Sequence, residues 1–329
     1  MRIKRTLSDM ARETLSLLPL VGLVPPSASL RQNGISLMMR IKNEEWIDLS
    51  LRSVKDFADE IVVVDTSTDD TPDIIRKVAD EEQLNLKLIE YEERTKSVLS
   101  TGETYTEQSN IAMQNTSYRW LFKWDGDLIA RTSGDLDIAT LRERILNLNS
   151  KKYHVVFLAY ANLDCDLFHT TDESFAPSSE SHLFTYSPRI SFMDRGRFEE
   201  IRLPLYYKPV VISDIYIFHL RRVKSAPQLL YRRFWTDWRE TGDYAEFPNL
   251  QDYVKYRIRS DWGIEEMDRA ARLNLQELCR RLVPYDEEKY GGYPELLKTE
   301  VENPRYKLIC EHGSIVGRND VGSFDSASK

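Results

Sequence analysis

The pair Asp125-x-Asp127 follows the apolar run Tyr118–Trp124 directly, so two carboxylates stand one residue apart at the end of a predicted strand. Carboxylate oxygens in that pattern suit a hard divalent cation such as Mg²⁺ or Mn²⁺, held by one or two protein ligands plus the phosphates of a substrate. Spacing alone does not select this pair, because Asp135/Asp137 and Asp164/Asp166 share it. Asp135 and Asp137 lie beside Gly134 just before a predicted helix, where capping explains them. Asp164-Cys165-Asp166 also follows a strand and is the competing site. The strand-end position and Gly126, which permits close approach of backbone or ligand, favour Asp125/Asp127.

Two further polar clusters sit at predicted strand ends. Lys42-Asn43-Glu44 follows Ile35–Ile41, and Asp65 closes Ile61–Val64 ahead of Thr66-Ser67-Thr68-Asp69-Asp70. Capping of the next helix is already available from Asp69, Asp70 and Thr71, which leaves Asp65 to accept a hydrogen bond from a base N–H or ribose hydroxyl. His219 ends Ile215–Phe218 and precedes Arg221-Arg222, which either hold a diphosphate by charge-assisted bonds or are solvated. No GxGxxG and no GxxxxGK[ST] occurs, so neither a dinucleotide fingerprint nor a P-loop is present.

The elements that must position these groups alternate. Ile35–Ile41 and Ile61–Val64 read as buried strands, with a helix over Glu45–Phe57 between them. Thr71-Pro72 starts the next helix, with the threonine hydroxyl as N-cap and proline at the first helical position. Leu84–Ile89 is a third strand, 104–115 a helix, Tyr118–Trp124 a strand, 138–149 a helix and Val155–Ala161 a strand. This rhythm predicts a largely parallel, helix-covered α/β sheet. Residues 164–182 read as a polar loop over the site, 187–211 as short strands, and the chain beyond Pro227 as helical. In that helical part Arg232, Arg233, Trp235 and Trp238 share one helix, read as core-packing aromatics with outward arginines rather than a binding patch. The tail from Gly313 reads as frayed.

At 329 residues, with 41% hydrophobic and 30% charged residues, the chain is long enough for a large core. A net charge of −8 gives no reason to expect nucleic acid as a partner. Three widely spaced cysteines with no CxxC argue against a disulfide framework or zinc site and fit a reducing compartment. Leu15–Val24 is apolar but far shorter than the roughly 20 residues of a membrane span. It reads as a helix packed on the domain, with a peripheral membrane contact as the alternative.

The segments ISLMMRIKNEE, DEIVVVDTSTDDT and SNIAMQNTSYRWLFKWDGD resemble, in order and spacing, the nucleotide-binding half of family 2 glycosyltransferases with the GT-A fold. The likeness covers 34–130, with weaker echoes to about residue 225, and is nearest to the bacterial surface-glycan branch with Lys-Asn-Glu after the first strand. It implies a GT-A domain over 34–224 (nucleotide-sugar half 34–130, acceptor half 131–224), after an N-terminal helix and linker (1–33) and before a helical extension (225–329). Lys42, Asn43, Glu44, Asp65 and Asn110 would then lie near the nucleotide. Asp125 and Asp127 would form the DxD pair, with Asp127 the direct ligand of Mn²⁺ or Mg²⁺ and His219 completing the metal site. A carboxylate after Pro188-Arg189-Ile190-Ser191-Phe192, Glu200 in the first instance, would deprotonate the acceptor hydroxyl, with Asp172 and Glu173 as alternatives. The implied activity is inverting, metal-dependent transfer of a sugar from a nucleoside-diphosphate donor to a glycan or lipid-linked acceptor, in the cytoplasm or at the inner face of the membrane. The alternatives are a sugar-phosphate nucleotidyltransferase and a non-catalytic nucleotide-sugar or glycan-binding module. Two departures stand out: the Asp65–Thr71 loop is one residue short, and Leu128 occupies a position that is often acidic.

Overall fold

The computed structural model describes residues 14–92, 101–171, 182–195, 199–241, 246–247, 249–311 and 314–318. The first half runs β1 (Gln32–Ile41), α1 (Ile47–Ser53), β2 (Glu60–Asp65), α2 (Thr71–Glu81), β3 (Leu86–Glu90), α3 (Thr101–Gln114), β4 (Tyr118–Lys123), β5 (Leu128–Ala130), α4 (Ile138–Leu146) and β6 (Tyr153–Asn162). There follow β7 (His169–Thr171), β8 (Leu183–Thr185), β9 (Ser191–Asp194), β10 (Glu199–Arg202) and β11 (Tyr207–His219). Helices α5 (Ala226–Thr241), α6 (Leu250–Trp262) and α7 (Met267–Cys279) come next, and then β12 (Leu282–Pro284), β13 (Leu308–Glu311) and β14 (Ser314–Arg318).

The central sheet has the order β3-β2-β1-β4-β8-β6-β11-β5. Strands β3, β2, β1 and β4 are mutually parallel, β6 pairs parallel with β11, and only β8 and β5 run against their neighbours. The expected α/β class with a mostly parallel sheet is what forms. Its cause is visible in β2, where period-2 alternation sends Ile61 and Val63 to one core and Val62 and Val64 to the other. One face packs on Ile47 and Leu51 of α1, Ile75 and Val78 of α2, and Ile138, Leu141 and Ile145 of α4. The other face packs on Ala112 and Met113 of α3.

Several boundaries differ from expectation for local reasons. Helix α1 stops at Ser53 because the backbone tightens into turns, with Phe57 N–H donating to the Val54 carbonyl at 3.0 Å. Thr71 does not cap α2: its hydroxyl accepts from the Glu44 N–H at 3.3 Å, while the Thr71 N–H donates to Asp69 at 3.0 Å. The tail is more ordered than expected as far as Arg318, since β14 pairs antiparallel with β13. In the apolar N-terminal stretch, Leu15 and Leu18 pack on the core while Leu17, Leu20, Val21 and Leu23 stay exposed. Among the described residues no helix is long and apolar enough to cross a membrane.

The C-terminal helices enclose a separate apolar cluster around Leu230, Phe234, Trp238, Val254, Ile258 and Leu275. Trp238 is fully buried there and donates Nε1–H to the Phe247 carbonyl at 3.0 Å. Trp238→Ala is expected to lower stability by about 3–5 kcal/mol, read from the denaturation midpoint in urea; a loss below about 1 kcal/mol would show that this cluster does not hold the helices.

Candidate active site

Three chain segments meet at the carboxyl edge of the sheet. The turn after β4 is fixed first: Trp124 N–H donates to the Met38 carbonyl at 2.9 Å, and Trp124 Nε1–H to Ser50 Oγ at 2.9 Å. Strand β5 then runs antiparallel to the end of β11, with Leu128 opposite His219. That register brings Asp127 to His219, whose Nε2 lies 3.4 Å from Asp127 Oδ1. Asn162, at the end of β6, sits 3.1 Å from His219 Nδ1 and orients the ring from behind.

Gly126 is where the second segment arrives. A Cβ at this position would stand 2.7 Å from Ile41 Cδ1 and 2.8 Å from Glu44 Cγ, so only glycine lets the Lys42-Asn43-Glu44 loop close onto the Asp125–Asp127 turn. The third segment supplies Lys224, a residue that the sequence reading passed over. Its Nζ is 2.6 Å from each Glu44 carboxylate oxygen and 3.9 Å from Asp127 Oδ2. Trp46 anchors this segment by donating Nε1–H to the Val223 carbonyl at 2.6 Å. The signal available in sequence was a lysine just past Arg221-Arg222, which carries no motif of its own.

Electrostatics follow from burial and from these partners. Burial alone would raise the Asp127 carboxyl, but His219, Lys224 and Arg232 outweigh it and hold the carboxylate well below its usual range. Burial likewise opposes protonation of His219, and the negative charges of Asp127 and Asp125 overcome it, so the imidazole is shifted upward. For Glu44 burial dominates and raises the carboxyl, with Lys224 pulling the other way.

The remaining expected site residues divide by their surroundings. Asp65 is buried at the end of β2 and accepts from Ser67 Oγ at 2.7 Å and Ser67 N–H at 3.3 Å; burial raises its carboxyl against those bonds. Lys42 is exposed, with Nζ 5.3 Å from the centroid of Trp235. Asn43 and Asn110 both bond protein backbone. Asn43 Oδ1 accepts from Thr68 N–H at 2.8 Å, and the Asn110 amide brackets Phe192, accepting its N–H at 3.0 Å and donating to its carbonyl at 3.1 Å.

Glu200, the expected base, lies on the outer phase of its strand. In the β9–β10 hairpin its side chain is 53% exposed and pairs with Arg195 at 2.5 Å. Its neighbour Glu199 is the inward carboxylate, 2% exposed, and takes both Arg40 Nη2 and Lys123 Nζ at 2.8 Å. Asp172 and Glu173 lie outside the described residues.

The competing Asp-x-Asp pairs are structural. Asp137 caps α4 by accepting from Ala139 N–H at 2.7 Å. Asp164 accepts Arg222 Nε–H at 2.6 Å, and Asp166 accepts from Phe168 N–H, His169 Nδ1 and Leu308 N–H, each at 2.9 Å. Arg222 is thereby occupied, and Arg221 is exposed.

Asp127 and His219 offer a carboxylate oxygen, which suits Mn²⁺ or Mg²⁺, and a ring nitrogen, which in its neutral form suits a softer ion than the oxygen-seeking Mg²⁺. Among the described residues no three His, Cys, Asp or Glu side chains form a metal cluster, so Asp125 does not complete a trio with them. A hard cation here would draw its other ligands from a bound polyanion or water.

No family model and no curated protein matches the sequence. Solved structures that match include S. aureus TarS, 15% identical with a TM-score of 0.38, over 75% of this chain and 71% of that one. The inositol-1-phosphate CTP transferase of T. maritima is 9% identical with a TM-score of 0.34, over 58% of this chain and 91% of that one. The 4-diphosphocytidyl-2C-methyl-D-erythritol synthase of Anaerococcus prevotii is 13% identical with a TM-score of 0.27, over 68% and 82%.

Removing Lys224 leaves the buried Glu44 carboxylate without its cation. Lys224→Met is expected to destabilise by about 3–5 kcal/mol, and adding Glu44→Gln to restore part of that loss, both measured by denaturant unfolding. A double variant no more stable than Lys224→Met would show that the pair is not the linkage described.

Proposed function

We propose that this protein is a glycosyltransferase of GT-A type that takes a sugar from a nucleoside-diphosphate donor with the help of a divalent cation. The observation that carries the reading is the meeting of the Glu44, Asp125–Asp127 and His219–Lys224 segments at the carboxyl edge of a mostly parallel sheet, where such sheets bind ligands. The ordered likeness of residues 34–130 to family 2 glycosyltransferases supports the same assignment, and with it the nucleoside end near Asp65 and Lys42.

In this reading Asp127 and His219 are the residues that would hold a divalent ion beside the donor diphosphate, with Asp125 two residues before Asp127. The ion, when bound, neutralises charge that builds on the leaving diphosphate. The chain's own contribution is positional. Asn162 fixes the His219 ring, Gly126 keeps the Asp127 turn flush against Glu44, and Lys224 adds a fixed positive charge beside the same centre. The geometry offers no support for Glu200 as the base that deprotonates the acceptor, because it faces solvent beside Arg195.

The test is a panel of UDP-, GDP- and dTDP-sugars with Mn²⁺ or Mg²⁺, followed by thermal shift and by release of nucleoside diphosphate. At least one donor is expected to bind and to be slowly hydrolysed, with Asp127→Asn lowering the rate by about 100-fold. Binding of no nucleotide sugar, or full activity in Asp127→Asn, would overturn the reading. Release of pyrophosphate from a nucleoside triphosphate and a sugar phosphate would instead identify a nucleotidyltransferase. Tight donor binding with no turnover in the presence of acceptors would identify a binding module.

A further inference from the structure

Helix α5 does more than pack. Its core face is Leu230, Phe234 and Trp238, which point into the C-terminal cluster. Arg232 and Trp235 are three residues apart and therefore neighbours on a different face, one turn from each other. Trp235 meets the sheet domain: its ring lies 6.1 Å from that of Tyr105 on α3, tilted by 32°, and Lys42 Nζ lies 5.3 Å from the Trp235 centroid. Beyond Tyr105, the Arg40 guanidinium stands 4.4 Å from the Tyr105 centroid. The order Arg40, Tyr105, Trp235, Lys42 forms a ladder of cations and rings drawn from β1, α3, α5 and the loop after β1. Each cation–ring step is within the distance at which such contacts attract.

The two adjacent arginines of α5 have different surroundings. Arg233 bonds Asn274 at 3.0 Å and Glu277 at 2.7 Å, inside the helical unit. Arg232 is exposed, within the first two turns of a helix that begins at Ala226, just past Lys224, and three residues before the Trp235 ring that Lys42 meets. Phosphate is the group that an exposed guanidinium beside the Lys224 segment matches best, through paired N–H donors.

We propose that the C-terminal helical unit completes the donor site, with the Arg40–Tyr105–Trp235–Lys42 ladder latching α5 onto the sheet domain so that Arg232 binds the diphosphate's second phosphate, the one farther from the nucleoside. The proposal rests on the nucleoside-diphosphate reading above, and it makes Arg232 a binding residue and Trp235 a positioning residue.

The test compares nucleoside diphosphates with their monophosphates, which separates the terminal phosphate from the rest of the nucleotide. Full-length protein is titrated calorimetrically with UDP, GDP, dTDP and the matching monophosphates in the presence of Mg²⁺. For the diphosphate that binds best, Arg232→Gln is expected to weaken affinity by about 10- to 100-fold, while monophosphate affinity moves by less than about 3-fold. Arg232→Lys should fall between Gln and the natural residue. Trp235→Ala should reproduce the selective loss, Trp235→Phe should retain most of the affinity, and Arg232→Gln/Trp235→Ala should be no weaker than Arg232→Gln alone. Arg232 is exposed, so its replacement leaves folding intact. Unchanged diphosphate affinity in Arg232→Gln, equal loss for monophosphate and diphosphate, or additive effects of the two substitutions would overturn the proposal. If the natural protein binds none of these nucleotides, the donor reading itself fails first, a result distinct from selective failure of the variants.

Discussion

Lys224 between Glu44 and Asp127 is the interaction on which the candidate site depends. Two carboxylates and an ammonium are removed from water together, which is tolerable only with close geometry and with the remaining valences satisfied. Lys224 Nζ meets both Glu44 oxygens at 2.6 Å, and Asp127 has His219 at 3.4 Å on its other side. Glu44 and Lys224 are 180 residues apart in the chain, since Glu44 follows β1 and Lys224 follows β11. Closing the ion network therefore also fixes how the two halves of the sheet meet at their carboxyl edge.

That edge is polar because the sheet leaves it no other chemistry. Strands β1, β2 and β4 are buried on both faces, so their side chains fill the two cores and charge collects where the strands end. What differs among the carboxylates is how fully the protein itself satisfies them. Asp164 has Arg222, and Asp166 has two backbone N–H groups and His169, so protein groups already hold both carboxylates. Asp127 faces a histidine that can yield a nitrogen to a metal, and a lysine 3.9 Å away. The same Asp-x-Asp pattern thus gives a structural pair in one place and an open one in another, and the partners decide which.

The strands and the identity of the main clusters were legible in the sequence because they rest on local pattern. Ile61–Val64 could only be a buried strand, and Gly126 between two aspartates signalled close approach. Phase and long-range pairing were less legible. Glu199 and Glu200 are indistinguishable in a short strand whose register is unknown, and a shift of one residue exchanges the inner and outer carboxylate. Lys224 carries no motif, so its role emerges only once β11 is placed beside β5. On α5 the sequence reading joined Trp235 to Trp238 as core, whereas helical spacing separates them, sending Trp238 inward and Trp235 toward Tyr105.

The Asp65–Thr71 loop is held by cross-bonding to the loop that follows β1. Asn43 takes a positive φ of 49°, a conformation that asparagine tolerates better than most residues. From there its N–H donates to Ser67 Oγ at 2.8 Å, and its side chain exchanges hydrogen bonds with Thr68 at 2.8 and 3.3 Å. Thr66 N–H reaches the Ile41 carbonyl at 2.9 Å, and Thr71 takes the Glu44 N–H at 3.3 Å. The two strand-end loops are therefore bonded into one piece, and Asp65 is turned toward Ser67 instead of standing clear. Since Glu44 belongs to that same piece and is bound to Lys224, a displacement at the Asp65 end would have to be transmitted to the ion network. The Asp65–Thr71 loop is thus coupled to Glu44 and its ion pair through side-chain and backbone hydrogen bonds.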